Sequence, residues 1–524
     1  MRYNQPLCVW NFTFGTYKAK VKLPHTWNVD NEVMRYRGKA TYDTAFYIDC
    51  SCKDKKVYLK CNAVYHTARV SVNGRFVGKH SRSGYTPFIM DITDAVEFGK
   101  ENKIEIEADN MPADEMLPQG ENFDWADDGG MIRGAMLMIR ETDAIEYLHI
   151  TEQIDSMEDG YASGTLHLKT NIIKPFNVSV YDYATGVKVA ESSALTVPFE
   201  HLKLWSCSEP NLYLVTLETD NDRIEERIGI RKFETKDEKV YLNGNEIFLR
   251  GCEWMPGSHP DYGMAEPLEH SIKRLRQLKD AGCVFTRFHW QQDDSLYDWC
   301  DENGLLVQEE IPYWGYPKEP APLQLEIAKQ HADEMLRFHF NHPSIVCWGV
   351  GNELGGDKPA TIAYVRDMVR YFKERDNRRL VNFVSNTLSR VENADKDDAT
   401  LYGDIVMWNE YLGLWEPCDD VADHILRTCR KAAGKPLVVS EFGLCEPRFQ
   451  GGDLKRCRIL EERIMLYEKI PNICGYVWFS LNDYRTHMGE EGEDNLRRRV
   501  HGSTDLYGNE KPSYRLLCKL QRGR

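Results

Sequence analysis

The sequence predicts two β-sandwiches followed by a C-terminal (β/α)8 TIM barrel, and three observations carry that reading. Short alternating strands separated by turn residues fill the first part of the chain, and the same style repeats on a smaller scale after it. Beyond Asp237 the rhythm changes to apolar strand, then amphipathic helix, repeated to the end. The expected domains are 1–142, 143–233 and 234–524.

In the first domain, Lys56–Cys61 and Ala68–Lys79 alternate polar and apolar residues, and the pair Asn73-Gly74 inside the second stretch signals a tight hairpin. In the second, Gly164–Lys169, Val178–Tyr183 and Tyr213–Leu217 have the strand length and spacing of an immunoglobulin-like sandwich, which would serve as a spacer. In the third, strands are expected at Glu246–Cys252, Cys283–His289, Leu305–Glu310, Ile345–Gly351, Leu380–Val384, Asp404–Trp408, Leu437–Glu441 and Gly475–Phe479. Helical periodicity falls between them, as at Leu268–Leu278 and Ala363–Phe372, so eight strand-helix units are expected.

Composition excludes several functions. The net charge of −16 repels phosphate backbones and anionic lipid heads, so neither nucleic acid nor a membrane surface is an expected partner. Mean hydropathy is −0.54, and no run is long and apolar enough to span a bilayer. No basic segment leading into an apolar stretch opens the chain, which predicts a cytoplasmic protein, or a periplasmic one if a leader has been removed. The 15 cysteines are scattered without zinc-ligand spacing and read as free thiols. Aromatics at 11% suit a protein that stacks rings on sugar faces, and large cores are rich in them too.

The most informative motifs are two apolar runs that each end in a glutamate, Ser344–Glu353 and Pro436–Glu441. Each reads as a buried barrel strand delivering a carboxylate at its C-terminal end, the face where barrel active sites are built. Two carboxylates brought together there are the machinery of glycoside hydrolysis.

The order of the three domains, with its local motifs, resembles glycoside hydrolase family 2, which includes β-galactosidases, β-glucuronidases and β-mannosidases. The resemblance rests on Leu23–Asn28, Gly38–Tyr42, Asp124-Trp125 with Gly129–Arg133, Leu204–Ser206 with Pro210–Tyr213, Gly229–Arg231, Leu242–Gly244, Leu249–Gly251, Asn352-Glu353 and Ser440–Gly443. It implies a jelly-roll, galactose-binding-like first sandwich and a retaining exo-β-glycosidase that removes terminal non-reducing sugars from oligo- or polysaccharides by double displacement. It also implies Glu353 as acid/base, Glu441 as nucleophile, Asn352 as the amide on the sugar 2-hydroxyl and Tyr411 as a hydrogen-bond donor to the nucleophile. Trp478 is expected as the floor of the sugar subsite, and His289 and Arg287 as substrate-binding residues at the end of the second strand, with His289 the safer carry-over because Arg287 stands two residues before it where the family usually has three. Asp124, Trp125 and Asp128 are candidates for a rim that restricts the enzyme to chain ends.

Some β-galactosidases of the family bind magnesium through a glutamate and a histidine after the third strand. Glu309–Gly315 lacks that histidine, so no metal and no cofactor are expected. The family's uronidases hold the sugar carboxylate with an Asn-x-Lys motif, where this chain has Arg499-Val500-His501-Gly502; Asn495 and the arginines Arg497, Arg498 and Arg499 could still grip an anion. A β-galactosidase is therefore the first expectation, a β-glucuronidase or other β-uronidase the alternative, and a β-mannosidase the third. An inactive carbohydrate-binding protein on the same scaffold is the alternative of a different class. A homo-oligomer is compatible with the sequence.

Three further motifs fail on inspection. Gly349–Leu354 begins like a dinucleotide loop but lacks the third glycine, His331, His339 and His342 lack the order of zinc proteases, and Asp395–Asp398 lacks the glycine and closing glutamate of a calcium loop.

Overall fold

The computed structural model describes residues 2–30, 33–120, 123–390, 397–491 and 496–522. Asp395 and Asn495 lie outside them. The chain forms two compact units: Met1–Pro112, Asp127–Arg231 and Asp333–Pro343 in one, Ala113–Ala126, Lys232–Ala332 and Ser344–Arg524 in the other.

The first unit holds sandwich-type antiparallel sheets. One has four strands in the spatial order Tyr3–Pro6, Ala135–Arg140, Lys56–Cys61 and Phe88–Asp91. Another has six, in the order Tyr17–Lys22, Val9–Phe14, Lys39–Ile48, Lys100–Asp109, Thr67–Val72 and Arg75–His80. Their alternate residues meet in one core that includes Trp10, Phe12, Tyr42, Leu59, Val70, Ile106 and Leu137. The hairpin forms where Asn73-Gly74 predicts it: both residues take positive φ, 51° and 78°, and Val72 pairs with Arg75. A further pair of sheets, of three and four strands, spans Leu148–Ile228 around a second core containing Leu166, Val180, Val197 and Val215.

The second unit contains the barrel. Its strands β1 (Leu249–Glu253), β2 (Phe285–Phe288), β3 (Leu306–Glu310), β4 (Ile345–Asn352), β5 (Leu380–Ser385), β6 (Val406–Asn409), β7 (Leu437–Phe442) and β8 (Ile473–Phe479) close in that order. Every residue of β2 to β8 is buried, because helices cover the outside and side chains fill the inside. That is why these segments read as continuous apolar runs rather than alternating ones.

Helices α1 (Leu268–Asp280), α2 (Asp294–Asn303), α3 (Pro322–His339), α4 (Pro359–Lys373), α5 (Val421–Lys431), α6 (Gly452–Tyr467) and α7 (Pro512–Arg522) follow their strands. Helix α2 shows why they start and stop where they do. The Asp293 side chain accepts from the Ser295 amide at its N-terminus, and Gly304 ends it in the left-handed region.

Two details differ from expectation. Glu246 lies in a small sheet of Phe233–Lys236, Lys239–Leu242 and Asn245–Glu246, because the positive-φ pair Asn243-Gly244 turns the chain back before β1. Among the described residues, the connection from β5 to β6 holds a short 3-10 turn, Ala399–Tyr402, instead of an α-helix. No helix among the described residues is long and apolar enough to cross a membrane.

Candidate active site

The C-terminal ends of the barrel strands concentrate charge. Glu253 ends β1, Arg287 lies on β2 with His289 just beyond it, Glu310 ends β3, Glu353 follows β4 and Glu441 lies on β7. Arg287 is wholly buried and organises the group. Its Nε and Nη2 donate to the two oxygens of Glu310 at 3.2 and 2.8 Å, and its Nη1 donates to Glu441 Oε1 at 2.7 Å and to Glu253 Oε2 at 3.3 Å. His289 Nδ1 bonds the other oxygen of Glu253, and its Nε2 faces Glu441 Oε1 at 3.5 Å. A buried cation surrounded by acids is stable only with this degree of pairing.

The strand sequences make room for the network. A side chain at Gly349 would come within 2.7 Å of Gln308 and Glu310, so the barrel interior admits only glycine there. Gly351 at φ 150° and Glu353 at φ 56° then turn the chain sharply at the end of β4. A glutamate in the left-handed region is strained, a state that persists where the surroundings fix it. Here the Glu353 amide donates to the Val384 carbonyl, and Asn409 Nδ2 donates to Glu353 Oε1 at 2.8 Å.

The two carboxyl groups are shifted in opposite directions. Burial alone would lift Glu441, but the hydrogen bond from His289 and the charge of Arg287 outweigh it and hold the group at about 2. Tyr411 adds a hydroxyl that donates to Glu441 Oε2 at 3.0 Å. Glu353 is raised, by burial first and then by the charge of Glu441. His289 is raised to about 9: burial and Arg287 push it down, and Glu253 and Glu441 overcome them.

Glu353, Glu441, His289, Tyr411, Asp124 and Arg499 line one cavity of about 560 Å³. Asp124 accepts from Arg499 Nε at 2.8 Å, from Tyr484 Oη at 3.0 Å and from Thr486 Oγ1 at 3.0 Å. Trp125, also at the wall, stacks on Trp290 with ring centroids 4.7 Å apart.

Six expected site residues, Asn352, Arg287, Trp478, Arg497, Arg498 and Asp128, are not among those lining the cavity. Asn352 is buried behind Glu353, its Oδ1 accepting from Asn409 Nδ2 at 3.1 Å and its Nδ2 lying 3.4 Å from His289 Nε2. Arg287 sits beneath Glu441 as described. Trp478 is buried and donates its indole N–H to Ser503 Oγ at 2.8 Å, and it is its neighbour Phe479 that lines the cavity. Strand alternation puts adjacent residues on opposite faces, and the sequence reading chose the wrong one of the two aromatics. Arg497 is exposed and donates to the His487 carbonyl at 2.9 Å.

Several lining residues had no motif to mark them. Asn409 closes an apolar strand as the glutamates do, and Glu253 closes β1 in the same way, so both carried a usable signal. Trp314, Asn386, Arg390, Trp415, Glu416 and His501 come from loops whose path no local pattern dictates, and Tyr484 opens the short strand Tyr484–Glu491 that pairs with Arg497–Arg499. His501 is 4% exposed, its Nδ1 has no hydrogen-bond partner, and burial with Arg499 nearby lowers its pKa to about 3, leaving the ring neutral.

A carboxyl raised by burial and a second one held low by nearby cations, both lining one cavity at the mouth of a parallel barrel, form an arrangement suited to glycoside hydrolysis. Residues 9–138 match the sugar binding domain of glycosyl hydrolases family 2, 140–231 match that family's middle region, and 233–469 match its TIM barrel domain. The chain belongs to glycosyl hydrolase family 2. It is 30% identical to a β-galactosidase of Thermoanaerobacterium thermosulfurigenes over 538 residues, covering 93% of this chain and 70% of that protein. It is 27% identical to a β-glucuronidase of Bacteroides fragilis over 486 residues, 83% of this chain and 67% of the relative. In fold it is similar to the β-D-glucuronidase of Dictyoglomus thermophilum, with a TM-score of 0.89 at 21% identity over 100% of this chain and 97% of the other.

Proposed function

We propose that the protein is a retaining, exo-acting β-glycosidase whose preferred glycone is a β-uronide, with a β-glucuronide first. The observation that carries the mechanism is that Glu441 and Glu353 line one cavity with their pKa values pushed in opposite directions, Glu441 down by His289 and Arg287 and Glu353 up by burial and Glu441. Glu441, already ionised, attacks the anomeric carbon while Glu353 gives its proton to the departing glycosidic oxygen. The C–O bond to the leaving group breaks as the Glu441 ester forms. Glu353, now ionised, takes a proton from water, whose oxygen displaces Glu441 and restores both groups. Arg287, His289 and Tyr411 stabilise the Glu441 carboxylate before attack and as it leaves. Asn409 and Asn352 position Glu353, with Asn409 reaching the cavity itself. Asp124 and Trp125 wall the cavity and favour chain ends over internal sugars.

For the glycone, Arg499 supports a uronide. Its Nε is taken by Asp124 and its Nη1 lies 3.5 Å from Cys445 Sγ, which leaves Nη2 to meet a sugar carboxylate. The neutral His501 ring beside it offers a further donor. The β-glucuronidases among the relatives in sequence and in fold point the same way. A specific observation favours β-galactosidase as the second reading: Asp124 offsets the charge of Arg499, so that end of the cavity has little net positive charge to hold an anion.

Initial rates on 4-nitrophenyl β-glucuronide, β-galacturonide and β-galactoside decide between them. The expected result is a kcat/KM highest for a uronide, reduced roughly 100-fold in Arg499→Gln by the loss of a charged hydrogen bond of about 2–3 kcal/mol. Faster turnover of the galactoside than of either uronide overturns the uronide reading. Proton NMR of the first sugar released, showing the β-anomer, tests retention.

A further inference from the structure

The cavity extends past the catalytic pair. General-acid catalysis fixes where the leaving group lies, because Glu353 must reach the glycosidic oxygen while Glu441 approaches the opposite face of the sugar. The departing sugar therefore sits on the Glu353 side. Of the lining residues, Trp314 pairs with Asn352 beside Glu353, the charges of Arg390 and Glu353 both act on Glu416, and Asn386 comes from the same connection as Arg390.

The side chains there are of the kind that bind a second sugar. Trp314 is partly exposed just after β3, paired through its backbone with Asn352 at the end of β4, and offers a ring face. Asn386 and Arg390 come from the β5–β6 connection, the one without an α-helix among the described residues. Arg390 is exposed at the cavity; its backbone amide donates to the Thr387 carbonyl, and among the described residues its guanidinium makes no hydrogen bond or ion pair. Lys318 lies close by, its Nζ donating to the Glu353 carbonyl at 2.9 Å, and the Arg390 charge acts on both Lys318 and Glu416. Glu416 is held by a hydrogen bond from Ser389 Oγ at 2.7 Å, and burial lifts it to about 7, so at neutral pH it cancels only part of the two cations.

We propose that this outer part of the cavity is a leaving-group subsite for a sugar bearing an anionic group, a carboxylate or a sulfate, held by Arg390 with Trp314 beneath its ring. The natural substrate is then the non-reducing end of an acidic oligosaccharide. The inference rests on the glycosidase reading above and adds to it the chemistry of the second sugar.

The test uses three β-linked disaccharides with the same glycone, that of the best aryl substrate, and a reducing-end sugar that is neutral, carboxylated or sulfated. For the full-length protein, kcat/KM is expected to be about tenfold higher for at least one anionic disaccharide than for the neutral one, a preference that 0.5 M salt weakens. Arg390→Ala is expected to bring the ratio to within about twofold of unity, and Arg390→Lys to retain part of it. The arm that shows the preference identifies carboxylate or sulfate as the recognised group. Equal rates on all three disaccharides, failure to cleave any of them despite aryl-glycoside turnover, or an unchanged ratio in Arg390→Ala overturns the subsite and leaves the glycosidase reading standing. A wild type inert on every aryl glycoside overturns both.

Discussion

Glu353 and Glu441 are the same residue type, buried in the same cavity, on strands of the same barrel, and they differ in everything placed around them. Glu441 receives a guanidinium proton, a facing imidazolium and a phenol. Glu353 receives one amide from Asn409 and the negative field of Glu441. Burial penalises both charges, and only Glu441 has cations enough to overcome it. The opposite shifts of the two groups follow from one asymmetric distribution of Arg287 and His289, which stand beside Glu441.

The most direct way to break that contrast is to remove the ionised partner. Glu441→Gln is expected to lower kcat by at least about 10³-fold on every substrate while the protein still binds sugar, as read by steady-state kinetics and calorimetry. A variant retaining more than a tenth of wild-type turnover sinks the assignment of the nucleophile.

Removing the acid is expected to cost less, and by an amount that depends on the leaving group. Glu353→Gln should lose about 10²–10⁴-fold on poor leaving groups, far less on 2,4-dinitrophenyl glycosides, and should recover with added azide, which attacks the glycosyl-enzyme without a base. Equal losses on good and poor leaving groups would falsify the acid/base role.

Arg287→Met sharpens the comparison from below, since it removes the cation and keeps the volume. Leaving the acids of Glu253, Glu310 and Glu441 buried without it is expected to destabilise the protein by about 3–5 kcal/mol. Burial already raises Glu310, and losing Arg287 raises it further above its unfolded value. A group so shifted stabilises the fold when protonated and loses that contribution as pH rises through the folded pKa, so the Tm deficit should be larger at about pH 8 than at about pH 5. A deficit independent of pH rules out the charge explanation.

The smallest effect is expected for Tyr411→Phe, which removes one hydroxyl from Glu441 and leaves Arg287 and His289 in place. A fall in kcat of roughly 10- to 100-fold with little change in Tm is expected, and an unchanged kcat removes Tyr411 from the mechanism.

Much of this was legible before any coordinates. Each barrel strand is a short apolar run because both its faces are covered, and a carboxylate ending such a run stands out as a costly exception, which is how Glu353 and Glu441 showed themselves. Residues reached by long loops showed no such signal, and where two neighbours had equal claims, as with Trp478 and Phe479, only the pleat of β8 decided which one faces the cavity.

The sequence by itself determined the barrel, the sandwich hairpins and the two acids at strand ends, because periodicity and turn chemistry are local and survive without the rest of the chain. Tertiary structure alone decided which cations stand beside Glu441 and not beside Glu353, that Arg287 donates to Glu441, Glu310 and Glu253, and that Asp124 meets Arg499. Those outcomes depend on charges brought within a few ångströms by strand closure, and electrostatic energy in a buried site is set by distance, which no sequence spacing encodes.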